Sequence, residues 1–222
     1  LLKATRELDV DLGIAHDGDG DRMMVVDDKG RFVSGDKLLA IFAQEAGAKK
    51  VITTIDASMA IDEMGFSVTK TRVGDTYVSE EIKRGGDFGG EPSGSWISPN
   101  ISLCPDGIYA AAQVAAIANQ QKLSQLVDSI PHYPLFRGSI SSEGVVMSKL
   151  EQRLMAMKPL SVSKIDGIKL SFEDSWLLIR ASGTEPKIRL TVEAKSEGRL
   201  HQLYDSSIRS IKDCMKGQEG AD

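Results

Sequence analysis

The sequence predicts an α/β protein in three successive pieces: the end of one mixed α/β domain, a complete βαβ-type domain and a small α+β carboxyl-terminal domain. Residues 36–137 alternate helix-period and strand-like runs, the pattern of helices packed on a largely parallel sheet. Residues 138–222 place several strand runs between two amphipathic helical stretches, which predicts a small α+β layout. Residues 1–35 offer only one predicted strand before a loop and a hairpin after it, too little for a sheet by themselves.

In the first piece the apolar run Val10 to Ala15 reads as a strand. Met23 to Asp27 reads as a second, followed by the turn Asp28-Lys29-Gly30-Arg31 and Phe32-Val33, a hairpin signal. The chain opens on Leu1 rather than Met, so we expect a fragment whose earlier strands lie in missing N-terminal domains. In the second piece Ser34 or Asp36 caps a helix carrying Leu38, Leu39, Ile41, Phe42 and Ala46, which stops near Gly47. Strands are expected over Val51–Ile55 and Phe66–Val73, with a short helix over Met59–Met64 between them. A helix runs from Asp75 to Lys83 and halts at Gly85-Gly86; Phe88 to Ile97 reads as glycine-rich and irregular. Asp106 caps a long apolar helix through Asn119. The third piece opens with an amphipathic helix over Glu143–Met157 that ends at Pro159. Three or four strands follow, clearest at Trp176–Arg180 and Lys187–Ala194, with turns at Asp166-Gly167 and Glu173-Asp174. A helix from Leu200 to Met215 closes the chain.

A formal net charge of -5 supplies no basic footprint for nucleic acid. No apolar run reaches transmembrane length and no signal-peptide pattern opens the chain, so a cytoplasmic protein without a membrane partner is expected. Cys104 and Cys214 match no zinc or disulfide spacing.

Three loops carry candidate chemistry. In Asp17-Gly18-Asp19-Gly20-Asp21-Arg22, carboxylates alternate with glycines, which let the backbone curl and bring the three side chains together. Carboxylates that close repel unless a cation lies between them, and hard oxygen ligands suit magnesium or calcium. An EF-hand is a poor match, because its sixth and twelfth positions hold Arg22 and Asp28 instead of Gly and Glu. A plain Asp-Gly turn between strands is the rival reading. In Gly89-Gly90-Glu91-Pro92-Ser93-Gly94-Ser95-Trp96, a carboxylate and a hydroxyl share a tight loop that suits vicinal sugar hydroxyls, against the alternative of an ordinary Gly-Pro turn. Arg180-Ala181-Ser182-Gly183-Thr184-Glu185-Pro186, with Arg189 beyond it, combines an arginine fork, two hydroxyls and a glycine turn, the parts of an anion site; a solvated hairpin turn is its rival.

The order of these motifs, Asp-Gly-Asp-Gly-Asp-Arg, then Gly-Glu-Pro-Ser-Gly, then Arg-Ala-Ser-Gly-Thr-Glu-Pro, resembles the α-D-phosphohexomutase family of phosphoglucomutases, phosphomannomutases and phosphoglucosamine mutases. That family has four domains around one cleft. The resemblance implies that residues 1–35 end the second domain, 36–137 form the third and 138–222 the fourth. It implies that Asp17, Asp19 and Asp21 bind Mg2+ and that Arg22 closes the loop near the reacting phosphate. Glu91 and Ser93 match the sugar-hydroxyl pair, and Gly74 and Asp75 resemble a second substrate loop. Arg180, Ser182, Gly183 and Thr184, with Arg189 nearby, match the loop that grips the phosphate not being transferred. Many relatives carry His where this chain has Ser95, and the Pro92 and Trp96 variant looks more like archaeal members.

The resemblance also implies a hexose phosphate substrate and a phosphoryl exchange through a phosphoserine and a bisphosphate intermediate. No Ser-His or Thr-Ser-Gly phosphoserine loop precedes the metal motif here, so the fragment alone is expected to be inactive. A non-catalytic module that binds sugar phosphate or metal is the alternative.

Overall fold

The computed structural model describes residues 1–182 and 185–216. The chain divides into two compact units, residues 1–132 and 133–222.

The first unit begins with α1 (Leu2–Glu7) and a three-stranded antiparallel meander of β1 (Gly13–His16), β2 (Met23–Val26) and β3 (Phe32–Val33). The triple-aspartate loop is the β1–β2 connection. Next comes α2 (Gly35–Glu45), whose cap Ser34 accepts from the Lys37 N–H. Strand β4 (Lys50–Thr54) leads through a 3₁₀ turn at Met59–Glu63 to β5 (Ser67–Thr71), and α3 (Asp75–Ile82) leads to β6 (Phe88–Gly90) and β7 (Trp96–Ile97). These strands form a sheet in the order β5-β4-β6-β7, parallel except for the last pair. Helix α4 (Gly107–Gln120) is capped by Asp106, which accepts from the Tyr109 N–H, and α5 (Leu123–Ser129) follows.

In this unit one expected stretch differs. Residues 88–97 are an antiparallel hairpin rather than irregular chain, because Gly89 and Gly90 hide the side-chain alternation that would mark a strand. Glycine is required at 89, where a Cβ would lie 2.9 Å from the Ile52 carbonyl oxygen. The cut expected at residue 36 does not divide the core: Met23, Val25 and Val33 share one buried cluster with Leu38, Phe42, Trp96, Val114 and Leu123. Phe42 is the hub of that cluster, with its ring centroid 5.4 Å from Trp96 and 6.1 Å from Phe88.

Among the described residues the second unit is a five-stranded antiparallel sheet with two helices. Its elements are β8 (Leu135–Ser141), α6 (Met147–Met155), β9 (Ser161–Ser163), β10 (Ile168–Ser171), β11 (Ser175–Ala181), β12 (Lys187–Ala194) and α7 (Glu197–Lys216). The strand order is β8-β12-β11-β10-β9. The boundary expected at 137/138 falls inside β8, which pairs along its whole length with β12. Helix α6 starts four residues later than expected, at Met147, because Gly144 turns the chain at φ +72°. Leu150 and Leu154 of α6 and Leu203 and Ile211 of α7 join Ile168, Leu177, Ile179, Ile188, Leu190 and Val192 in one apolar cluster. Alternation then turns Trp176 and Arg180 of β11 to the opposite face, beside Lys169, Arg189 and Glu193. There the Lys169 ammonium lies 3.8 Å from the Trp176 ring centroid, and the Trp176 indole donates to the Glu193 carboxylate at 2.5 Å.

Candidate active site

In the first unit one carboxylate oxygen from each of Asp17, Asp19 and Asp21 lies within 4.8 Å of the others. Gly20 takes φ +75°, which closes the curl; Gly18 keeps negative φ, so only one of the two glycines uses its freedom. The Arg22 N–H and guanidinium both donate to Asp17. Burial opposes ionisation of Asp17, but these donations outweigh it and hold the carboxyl below its ordinary value. Asp21 moves the other way: desolvation first, then the Asp19 and Asp17 charges, push it up. Its Oδ1 is buried without a hydrogen-bond partner. Three hard oxygens, mutual repulsion and an orphaned acceptor together fit a divalent cation.

Glu91 is 7% exposed and opens the turn between β6 and β7, where Gly94 donates to its carbonyl at 3.0 Å with φ +107° at Gly94. Its Oε1 accepts from the Gly74 N–H at 2.8 Å, and the Ser93 hydroxyl is a further partner. Burial is the main reason its pKa is raised, and the Asp56 and Asp75 charges add to the rise. Asp75 opens α3 and acts on both Glu91 and Asp21. The predicted residues Gly74, Asp75, Glu91, Ser93 and the aspartate loop are therefore neighbours.

Backbone contacts join these loops. Met23 donates to the Gly94 carbonyl at 3.0 Å, Arg22 and Ser95 form a β-bridge, and the Trp96 indole donates to the Met23 carbonyl at 3.0 Å. Helix α4 closes in from another side: a Cβ on Gly107 would lie 2.5 Å from the Gly20 carbonyl oxygen and 3.0 Å from that of Arg22. The His16 Nε2 lies 3.1 Å from the Gly107 carbonyl oxygen.

In the second unit Arg180 and Arg189 face each other across β11 and β12. Like charges directly opposite are destabilising unless something negative offsets them. Asp166 does so for Arg180, with Oδ2 2.8 Å from Nε. The Ser182 N–H donates to the Lys187 carbonyl at 2.8 Å, while its Oγ is buried without a partner. Gly183 and Thr184 lie outside the described residues.

Sequence reasoning passed over His16, Asp56, Trp96 and Asp166 as site residues. Asp56 follows β4, and the rule that ligands gather at the carboxyl ends of parallel strands could have found it. Asp166 looked like turn chemistry alone.

Residues 34–133 match the family model described as phosphoglucomutase/phosphomannomutase, alpha/beta/alpha domain III, and residues 145–209 match the phosphoglucomutase/phosphomannomutase C-terminal domain. A protein named "Probable phosphoglucosamine mutase" from Methanocella arvoryzae is 44% identical over 97% of this chain and 51% of its own length. A protein of the same name from Methanococcoides burtonii is 46% identical with the same coverage. The chain thus spans about half the length of the curated relatives it matches. A crystal structure of a phosphoglucomutase/phosphomannomutase family protein from Burkholderia thailandensis superposes with TM-score 0.82 at 26% identity, over 100% of this chain and 50% of that one. The Aspergillus fumigatus N-acetylphosphoglucosamine mutase, solved with GlcNAc-6P and magnesium, shares the fold at TM-score 0.65 and 16% identity, over 90% of this chain and 48% of that one.

Proposed function

This chain belongs to the phosphoglucomutase/phosphomannomutase family, and from that premise we propose that it supplies the metal, sugar and phosphate loops of a phosphohexomutase. The substrate is a hexose phosphate, and the names of its relatives make glucosamine phosphate the first to test. The observation that carries the proposal is the backbone register between the aspartate loop and the Glu91 turn, which keeps the three aspartates and Glu91 close together and supports reading them as a cation site beside a sugar-binding carboxylate.

Asp17, Asp19 and Asp21 would hold Mg2+, which neutralises charge on a transferring phosphoryl group. Arg22, already oriented by Asp17, lies beside that position and can donate to a phosphoryl oxygen. Glu91 accepts from sugar hydroxyls, with Ser93 beside it and with Gly74 and Asp75 next to it at the start of α3. Arg180, Ser182 and Arg189 grip the phosphate that stays on the sugar, with Gly183 and Thr184 in the same loop. The phosphate donor is a phosphoserine outside these 222 residues.

The test is an assay of the full-length polypeptide on glucosamine, glucose and mannose 1-phosphates with and without magnesium. We expect magnesium-dependent conversion of at least one to its 6-phosphate, and none by the 222-residue chain alone. Absence of turnover on all three by the full-length polypeptide would overturn the proposal.

A further inference from the structure

We infer that His16 is a positioning residue for the aspartate loop: its imidazole fastens the start of that loop to the first turn of α4 and so sets where the three carboxylates stand. The inference rests on the reading of Asp17, Asp19 and Asp21 as magnesium ligands, and its test separates the two.

Two of the six residues in the loop are glycine, so holding its carboxylates together costs conformational entropy that outside contacts must offset. The far end of the loop has such contacts. Met23 donates to the Gly94 carbonyl at 3.0 Å, and Arg22 bridges to Ser95. The near end leaves β1 at His16, and β1 lies at the edge of the described sheet, paired with β2. There the His16 side chain reaches α4, with Nε2 3.1 Å from the Gly107 carbonyl oxygen. A carbonyl oxygen only accepts, so Nε2 carries the hydrogen of this contact.

The first turn of α4 is itself well anchored. The Asp106 N–H donates to the Trp96 carbonyl at 3.1 Å, and the Asp106 carboxylate takes the Tyr109 N–H at 2.8 Å. Gly107 is buried, and a Cβ on it would lie 2.5 Å from the Gly20 carbonyl oxygen and 3.0 Å from that of Arg22. The two contacts between α4 and the loop therefore act in opposite senses. Close packing at Gly20 and Arg22 stops the loop from moving toward the helix. The His16 hydrogen bond stops the residue directly before Asp17 from moving away. Magnesium demands near-ideal octahedral geometry, so a loop held in both senses suits it better than one held in one.

His16 is exposed, so its loss opens no core cavity and the fold should survive. The experiment titrates magnesium into the full-length polypeptide by calorimetry. It also measures kcat, KM for a hexose phosphate, and the magnesium concentration giving half-maximal rate. Groups that orient metal ligands are typically worth about ten- to a hundred-fold in metal affinity. We expect His16→Ala to weaken magnesium about ten-fold in both measurements and to lower kcat, with KM for the hexose phosphate and the melting transition unchanged. His16→Gln places an amide N–H within reach of the same carbonyl and should recover most of the loss. His16→Met, of similar reach but without a donor, should behave like His16→Ala. Wild-type magnesium affinity in His16→Ala would overturn the inference. So would a Gln variant no better than the Met variant, because the hydrogen bond would then do nothing. A lowered melting transition with unchanged magnesium affinity would reduce His16 to a structural contact. If His16→Ala does not fold, the comparison of Gln with Met decides alone. Asp19→Asn is the control: if it binds magnesium like the wild type, the reading of the aspartate loop itself is wrong, whatever His16 does.

Discussion

Around Asp17–Arg22 the backbone makes the site, whereas around Arg180 the side chains make it. In the first unit backbone groups of β2 and the Glu91 turn bond each other, and the Gly20 and Arg22 carbonyls of the aspartate loop leave no space for a Cβ at Gly107 of α4. In the second unit strand pairing is regular, and the chemistry comes from residues projecting from one face of the sheet. On the proposed function, the difference suits what each loop would hold. A small, hard cation needs oxygens fixed to a fraction of an ångström, which a rigid backbone enforces. A phosphate can be gripped by long side chains that tolerate some movement.

The contrast predicts unequal responses to mutation. The largest effect is expected for Asp19→Asn, which removes one of the three carboxylates proposed to hold the metal at nearly constant volume. Metal stabilisation of a transferring phosphoryl group is worth several kcal/mol, so turnover of the full-length polypeptide should fall about a hundred-fold or more. Phosphate shifts at Ser182 should stay as they are. Wild-type turnover at limiting magnesium would break the contrast at its strongest point. Arg180→Lys comes next: loss of the planar fork should raise KM about ten- to a hundred-fold, with magnesium affinity unchanged. A change in magnesium affinity, measured by calorimetry, would show that the two regions are not independent.

Gly107→Ala should act through the backbone. Overpacking against two carbonyls typically costs about 1–3 kcal/mol, so the melting transition of the first unit should fall while that of the second stays put. Gly198→Ala, where a Cβ meets nothing within 4 Å, is the matched control in the second unit.

The smallest effect concerns pH. Burial raises the Glu91 pKa above its ordinary value of 4.5, so the folded state holds that proton more tightly than the unfolded one. The stability it contributes is complete below 4.5 and is lost as pH rises through the raised value. Glu91→Gln keeps an acceptor for the Gly74 N–H and removes the charge. Its melting temperature should therefore vary less with pH above 4.5 than that of the wild type, and a parallel profile would argue against burial as the cause.

Much of the fold was legible in the sequence because its helices carry strong start signals. Ser34 and Asp106 cap α2 and α4 as their residue types suggested. Glycine strands were illegible for a physical reason: Gly89 and Gly90 pair as strand residues but show no alternation. Helix α5 is only seven residues long and offers little more than Leu123 and Val127 as a periodic signal. At the candidate site, loops that concentrate unusual chemistry in a few residues were visible. Single residues drawn in from elsewhere were not, since nothing around His16 or Asp166 marks them apart from the approach of Gly107 and Arg180 in space.

The chain has two tryptophans, and each unit holds one in its buried interior. Trp96 packs on Phe42 and donates to a carbonyl of β2, next to the aspartate loop; Trp176 sits between an ammonium and a carboxylate. An indole flanked by fixed charges emits at a different wavelength from one among aromatic rings, so the molecule carries two built-in optical probes. With Trp176→Phe, emission reports on the first unit alone; with Trp96→Phe, it follows the sheet of the second. Unfolding of one unit, or arrival of its ligand, can then be watched without attaching a label to either.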